Sequence, residues 1–268
     1  MTEQETQKET NQNGGLGEMG ILEHLDELRR RLFRSLIAAF AGMLACYGFA
    51  KTLFDWLMLP LYKAMPEKST MIYTAPHEAF FTYIKVAFVA GFFLTSPFIF
   101  YQAWLFVRPG LYANERKYIM PISFCSALLF VVGSLFGYFI VFPFAYKFFM
   151  GFSDIFISPM ITMKEGFSFS LRLLIAFGIV FELPLVIFFL ARLGLVTPTS
   201  LRKKRKYAIL CGFLLSAILT PPDVFTQTFM AGPLILLYEV GIWIAVFVGK
   251  KREEESKEDV HVHDDGAA

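Results

Sequence analysis

The chain has 268 residues, of which 56% are hydrophobic and 17% aromatic, with 32 phenylalanines and a formal net charge of only +2. A soluble domain is about 45–50% apolar, so this excess, which is gathered in long runs, excludes a single soluble globular domain. A transmembrane barrel is excluded too, because it would show alternating segments of about ten residues. The sequence therefore predicts an all-α polytopic membrane protein.

Residues 1–17 are polar and lack the apolar core of a cleavable signal peptide, so we expect a disordered N-terminal tail. The next stretch, from His24 to Leu32, is acidic in its first half and strongly basic in its second. Its leucines recur every three to four residues, which is typical of one face of a helix. We therefore predict a short amphipathic helix at the membrane surface, leading into the first span.

Six apolar segments follow within residues 18–249, and we predict one transmembrane helix for each: 32–54, 81–107, 118–150, 169–195, 207–219 and 227–248. The fifth is shorter than the usual span of about 20 residues, a difference that local thinning of the bilayer would accommodate. The polar stretch 55–80 is long enough for an ordered extracytoplasmic cap with one or two short helices. Residues 250–268 form a charged tail.

The distribution of basic residues predicts the orientation of the chain. An even number of spans places both termini on the same side of the membrane. Four basic clusters lie on that side, at 29–34, 108–117, 202–206 and 250–252, whereas the opposite loops hold few lysines away from the segment ends. Because lysine and arginine are enriched in cytoplasmic loops, we predict that both termini are cytoplasmic.

The sequence offers little to support catalysis. It contains no phosphate-binding loop, no GxSxG nucleophile motif and no HExxH zinc motif. The four histidines are scattered, and each of the three cysteines lies in a separate apolar run, which is typical of small buried side chains. We expect no enzymatic activity, cofactor, metal site or nucleic-acid partner. Any transport must be driven by a partner or an ion gradient.

Two carboxylates, Glu27 and Glu115, are both predicted to lie on the cytoplasmic side. Glu27 can pair with Arg31 at the favourable i,i+4 spacing, and Glu115 can pair with the adjacent Arg116 or Lys117. The alternative is that they bind an incoming cation. A carboxylate accepts a guanidinium through two parallel hydrogen bonds, which favours arginine over lysine.

Glu182 lies near the middle of the fourth predicted span. An ionisable group at that depth costs about 3 kcal/mol on insertion scales, so we expect it to face the bundle interior, a groove or a polar partner helix. A structural hydrogen bond to a neighbouring helix is the alternative. A proton-coupled small-solute transporter using Glu182 is an alternative function, although such carriers often contain two related halves and we find no internal repeat.

Five motifs along the chain resemble one known family. They are His24-Leu25-x-Glu27-Leu28-Arg29-x-Arg31-Leu32, Phe106-Val107-x-Pro109-Gly110-Leu111-Tyr112-x-x-Glu115-Arg116, Phe177-Gly178-x-x-Phe181-Glu182-x-Pro184, Leu201-Arg202-Lys203-x-Arg205 and Thr220-Pro221-Pro222-Asp223-x-Phe225-x-Gln227. In this order, over about residues 18–250, the chain resembles the TatC family, the multispanning subunit of the twin-arginine protein translocase.

The resemblance implies a receptor and core subunit that binds the twin-arginine signals of folded precursors at its cytoplasmic face. It also implies single-span TatA-like and TatB-like partners, homo- and hetero-oligomers, transport powered by the proton-motive force, and a prokaryotic plasma membrane or equivalent organellar membrane. Carried over by motif, the signal-binding residues are Glu27, Arg29, Arg31, Phe106 and Glu115.

Individual roles follow from the chemistry of these side chains. Glu27 and Glu115 would accept the two arginines, and Phe106 would contact the apolar part of the signal. Arg29 and Arg31 would orient Glu27, anchor to lipid headgroups or contact partners. The resemblance places Glu182 in a membrane-facing groove, where a polar contact to a single-span partner is expected, and it implies partner contact or gating for Asp223 and Gln227 at the outer end.

Overall fold

The structure is a computed structural model that describes the backbone of residues 3–66, 69–107, 119–153, 159–220 and 223–264, and side chains within 23–66, 69–107, 119–153, 159–220 and 223–248. This part of the chain is helical, apart from loops and one isolated β-bridge. The helices are α1 (Glu3–Tyr47), α2 (Ala50–Ala64), α3 (Glu78–Val107), α4 (Ile119–Phe136), a π-helical turn (Gly137–Val141), α5 (Phe142–Met150), α6 (Met163–Phe181), α7 (Leu183–Arg192), α8 (Pro198–Lys203), α9 (Arg205–Leu219) and α10 (Val224–Asp264). The predicted all-α class is confirmed.

Four stretches are long and apolar enough to cross a membrane: Glu78–Val107, Ile119–Met150, Met163–Arg192 and Val224–Val248. A fifth is obtained if Glu23–Tyr47 and α2 are counted as one broken span. Length and composition therefore show four or five spans among the described residues. Helix α9 has 15 residues, a length of about 22 Å, and falls short of a hydrocarbon core of about 30 Å.

The first predicted span, 32–54, is interrupted in the structure. Helix α1 ends at Tyr47 and α2 begins at Ala50. Glycine is about 1 kcal/mol less favourable than alanine inside a helix, and Gly48 stands at the break. The next residue, Phe49, leaves helical geometry with φ −106° and ψ 8°. The described backbone of α1 extends back to Glu3, and the disordered tail predicted for 1–17 stays a prediction.

The chain divides into two compact units. Unit 1 comprises Met1–Gly48 and Ala87–Cys125. In it, α1 and the C-terminal part of α3 touch backbone to backbone at two glycines. A β-carbon on Gly42 would lie 2.6 Å from the carbonyl oxygen of Gly91, and one on Gly91 would collide with the backbone nitrogen of Met43. Only glycine at both positions allows helices to approach this closely.

Unit 2 comprises Phe49–Val86 and Ser126–Ala268. Its core contains fully buried aromatic and aliphatic side chains, among them Phe130, Phe177 and Leu173. Helices α4 and α6 pack closely, since a β-carbon on Gly133 would lie 2.5 Å from the Phe177 carbonyl oxygen and one on Gly178 would lie 2.5 Å from the ring of Phe130.

Two loops of unit 2 are joined by the β-bridge between Ile72 and Thr162. Beside it, Glu78 is buried at 6% exposure. Its Oε2 accepts hydrogen bonds from the backbone nitrogen of Thr74 at 2.9 Å and the Thr74 hydroxyl at 3.1 Å, and its Oε1 accepts one from the backbone nitrogen of Lys164 at 2.8 Å. The start of α3 and the start of α6 are thus tied together through one carboxylate.

Candidate functional site

The α1–α3 pair of unit 1 holds the first group of predicted site residues. Arg31 donates from Nε to Glu27 Oε1 at 2.9 Å, and its Nη2 contacts the same oxygen. The two side chains are 17% and 30% exposed, respectively. The i,i+4 ion pair considered from the sequence is therefore present. Among the residues that the structure describes, Glu27 Oε2 has no hydrogen-bond donor.

Gln102, on α3, is a further member of this group that the sequence analysis did not name. Its Oε1 accepts a hydrogen bond from Arg31 Nη1 at 3.4 Å, across 71 positions of sequence. The Gln102 side chain is buried, with 5% exposure. An amide inside an otherwise apolar span was the signal available in the sequence, because buried polar groups need hydrogen-bond partners.

Phe106 lies in the last turn of α3 and stacks on the ring of His24 from α1, with centroids 4.4 Å apart and an interplanar angle of 18°. His24 is exposed and Phe106 is half-buried. Unit 1 therefore gathers Glu27, Arg31 and Phe106 along one α1–α3 contact. The structure adds His24 as the stacking partner.

Two residues of the predicted signal site remain, Arg29 and Glu115, and only Arg29 lies within the described part of the chain. Arg29 is exposed on α1, and within the described side chains it has neither a hydrogen bond nor an ion pair. Glu115 lies outside the described residues, so its predicted place on the same cytoplasmic face as Glu27 stays a prediction.

In unit 2, Glu182 lies where α6 ends and α7 begins, followed by Pro184 in the first turn of α7. The side chain is buried, with 9% exposure. It hydrogen-bonds to the hydroxyl of Ser126 on α4. Its Oε1 is buried and has no hydrogen-bond partner among the described residues. A buried acceptor without a hydrogen bond costs about 1–3 kcal/mol.

Asp223 and Gln227 each have a partner within unit 2. Asp223 precedes α10 and caps it, since its Oδ1 accepts from the Thr226 backbone nitrogen at 2.7 Å and its Oδ2 from the Thr226 hydroxyl. Gln227 donates from Nε2 to the Phe213 carbonyl at 3.0 Å, which links α10 to α9. These contacts are structural, and the predicted roles in partner contact or gating stay predictions.

Comparison with known proteins identifies the family. The sequence model described as "Sec-independent protein translocase protein (TatC)" matches residues 23–233. A protein of that name from Desulforapulum autotrophicum is 51% identical over 236 residues, covering 88% of this chain and 87% of the relative. The Escherichia coli K12 protein of the same name is 39% identical, covering 88% of this chain and 92% of the relative.

A solved structure agrees with the sequence comparisons. The crystal structure of a twin arginine translocase receptor, TatC, superimposes with a TM-score of 0.75 at 42% identity, covering 84% of this chain and 99% of that one. A second crystal structure of such a receptor, in the detergent DDM, gives a TM-score of 0.76 at 43% identity, covering 83% of this chain and 99% of that one. The chain therefore belongs to the TatC family of Sec-independent protein translocase proteins.

Proposed function

We propose that this chain is a receptor and core subunit of a twin-arginine protein translocase and that it binds twin-arginine signal peptides through Glu27. Family membership supports the general function. The main structural support for the binding site is the Glu27 carboxylate. It is partly exposed, and one of its oxygens has no donor among the described residues.

The chemistry of the signal fits this oxygen. A guanidinium forms charge-assisted hydrogen bonds in a fixed planar fork, which suits a carboxylate better than the point charge of a lysine does. Glu27 would take one arginine and Glu115 the other. The stacked rings of His24 and Phe106 lie along the same α1–α3 contact and would receive the apolar part of the signal. Arg29 would contact lipid headgroups or partner proteins.

The membrane arrangement is part of the same proposal. Residues 18–249 would form six spans with α9 as the short fifth, both termini would be cytoplasmic, and the loops around the β-bridge would form an extracytoplasmic cap. The described helices support four or five of these spans. The basic clusters support the orientation. Residues 1–17 and 250–268 would be tails outside this domain.

Partners are proposed from the family and from the unfilled acceptor on Glu182. TatA-like and TatB-like single-span proteins would assemble with the chain, with one of them donating a hydrogen bond to Glu182, and Asp223 and Gln227 would lie near such a contact. Transport would be powered by the proton-motive force. A proton-coupled solute carrier is not proposed, because the family match covers residues 23–233 and points to protein translocation.

Charge reversal tests the signal site. Glu27→Lys and Glu115→Lys should each lower photocrosslinking to a twin-arginine precursor by roughly 100-fold, the equivalent of two charge-assisted hydrogen bonds. Glu23→Lys is the matched control, because it makes the same charge change at an exposed position one turn earlier on α1. Undiminished crosslinking in both site variants would remove the assignment.

A further inference from the structure

Arg31 divides the donors of its guanidinium between two acceptors, Glu27 and Gln102. Its Nε and Nη2 both face one oxygen of Glu27, and its Nη1 faces Gln102. A free arginine–carboxylate pair favours two parallel bonds, with one nitrogen on each oxygen. Here the third nitrogen is held by a second acceptor, and the second carboxylate oxygen has no donor among the described residues.

We propose that Gln102 is a positioning residue of the signal-binding site, which acts through Arg31 to keep Glu27 Oε2 available to a guanidinium of the signal. This inference rests on the proposed function of Glu27. By accepting a hydrogen bond from Nη1, Gln102 fixes the orientation of the Arg31 guanidinium. The guanidinium then cannot turn to bond both carboxylate oxygens of Glu27. Arg31 then orients the Glu27 carboxylate without bonding its Oε2.

The helix pair explains why Gln102 reaches this place. Helices α1 and α3 are antiparallel, because Gly42 contacts Gly91 while the earlier residue Arg31 contacts the later residue Gln102. Arg31 lies 11 residues before Gly42 and Gln102 lies 11 residues after Gly91, which is about three helical turns on each helix. The glycine crossing therefore sets the register in which Arg31 meets Gln102.

Burial makes the contact effective despite its length. Gln102 is 5% exposed, so its amide oxygen has little access to water as a competing partner. A hydrogen bond from a charged donor is stronger in such surroundings than at an exposed surface. Glu27, at 30% exposure, remains open to a ligand arriving from solvent.

The test measures binding of two fluorescent synthetic peptides to the full chain purified in detergent. Both peptides carry the same apolar segment, and one has an Arg-Arg pair where the other has Lys-Lys. Gln102→Met, which keeps length and removes the acceptor, should weaken Arg-Arg binding about tenfold, the equivalent of one charge-assisted hydrogen bond. The preference for Arg-Arg over Lys-Lys should fall by a similar factor. Gln102→Glu keeps an acceptor oxygen and should retain the preference.

A double variant decides whether Gln102 acts through Arg31. In an Arg31→Ala background, Gln102→Met should have no further effect on either peptide. If Gln102→Met weakens both peptides equally, or still weakens Arg-Arg binding without Arg31, Gln102 only supports packing and the proposal is overturned. Loss of the preference in Gln102→Glu would overturn it as well. Unchanged binding in Glu27→Gln would instead refute the proposed function of Glu27, so the two failures are distinguishable.

Discussion

The carboxylates of the two units differ in what they leave unfilled. In unit 1, Glu27 is partly exposed, and Arg31 contacts one of its oxygens, while the other has no donor within the described residues. In unit 2, Glu182 is buried and bonded to Ser126, and its Oε1 has no hydrogen-bond partner in the part of the chain that the structure describes. An exposed carboxylate can exchange one cation for another with water as an intermediate partner. A buried one can gain only from a donor that arrives without water.

Glu78 supplies the contrast within unit 2. It is as buried as Glu182, yet both of its oxygens accept hydrogen bonds from backbone nitrogens, those of Thr74 and Lys164. Both carboxylate oxygens of Glu78 therefore have hydrogen-bond donors within the fold. Two acids of similar burial therefore differ in whether the fold supplies donors to both carboxylate oxygens.

The largest effect on stability is expected at Glu78. Glu78→Ala leaves the backbone nitrogens of Thr74 and Lys164 without their carboxylate acceptor, which should lower the free energy of unfolding. Thermal unfolding of the protein in detergent, followed by helical circular dichroism, measures this loss. Glu165→Ala is the control, because Glu165 is an exposed acid in the first turn of α6. A Glu78→Ala variant as stable as this control would show that the hydrogen bonds of Glu78 contribute nothing.

The glycine crossing of unit 1 should give the next largest effect. Gly91→Ala places a β-carbon against the backbone of Met43, so the two helices must move apart, at a cost of about 1–3 kcal/mol. Binding of the Arg-Arg peptide should fall too, because Arg31 and Gln102 lose their register. Gly232→Ala is the matched control, since a β-carbon there meets no atom within 4 Å, and it should be neutral or slightly stabilising. Equal stability and binding in both variants would contradict the role of the crossing.

The sequence predicted the contacts that are local and missed those that are not. The Glu27–Arg31 pair follows from i,i+4 spacing, and the all-helical class follows from the apolar runs. Gln102 meets Arg31 only because two glycines bring distant helices together, and no local pattern indicates that register. The role of Glu78 is hidden for a similar reason, since one donor lies in the loop at Thr74 and the other in the first turn of α6 at Lys164. The cap made by Asp223 was visible as an acid three residues before Thr226, but the family motif drew attention to partner contact instead.

The smallest change in stability, with the sharpest consequence for function, is expected at Glu182. Glu182→Met keeps the length of the side chain, removes the orphaned Oε1 and gives up the bond to Ser126. Because the gain and the loss oppose each other, the free energy of unfolding should shift by no more than about 1 kcal/mol.

Export of a twin-arginine precursor and co-purification with single-span partners should nevertheless fall in Glu182→Met, since the acceptor offered to the partner is gone. Glu239→Met is the control: it removes a partly exposed acid paired with Arg205 at 2.7 Å, a loss worth at most about 1 kcal/mol, and should preserve export. Normal export and assembly in Glu182→Met would make Glu182 a structural residue like Glu78, and a large loss of stability would lead to the same conclusion from the opposite direction.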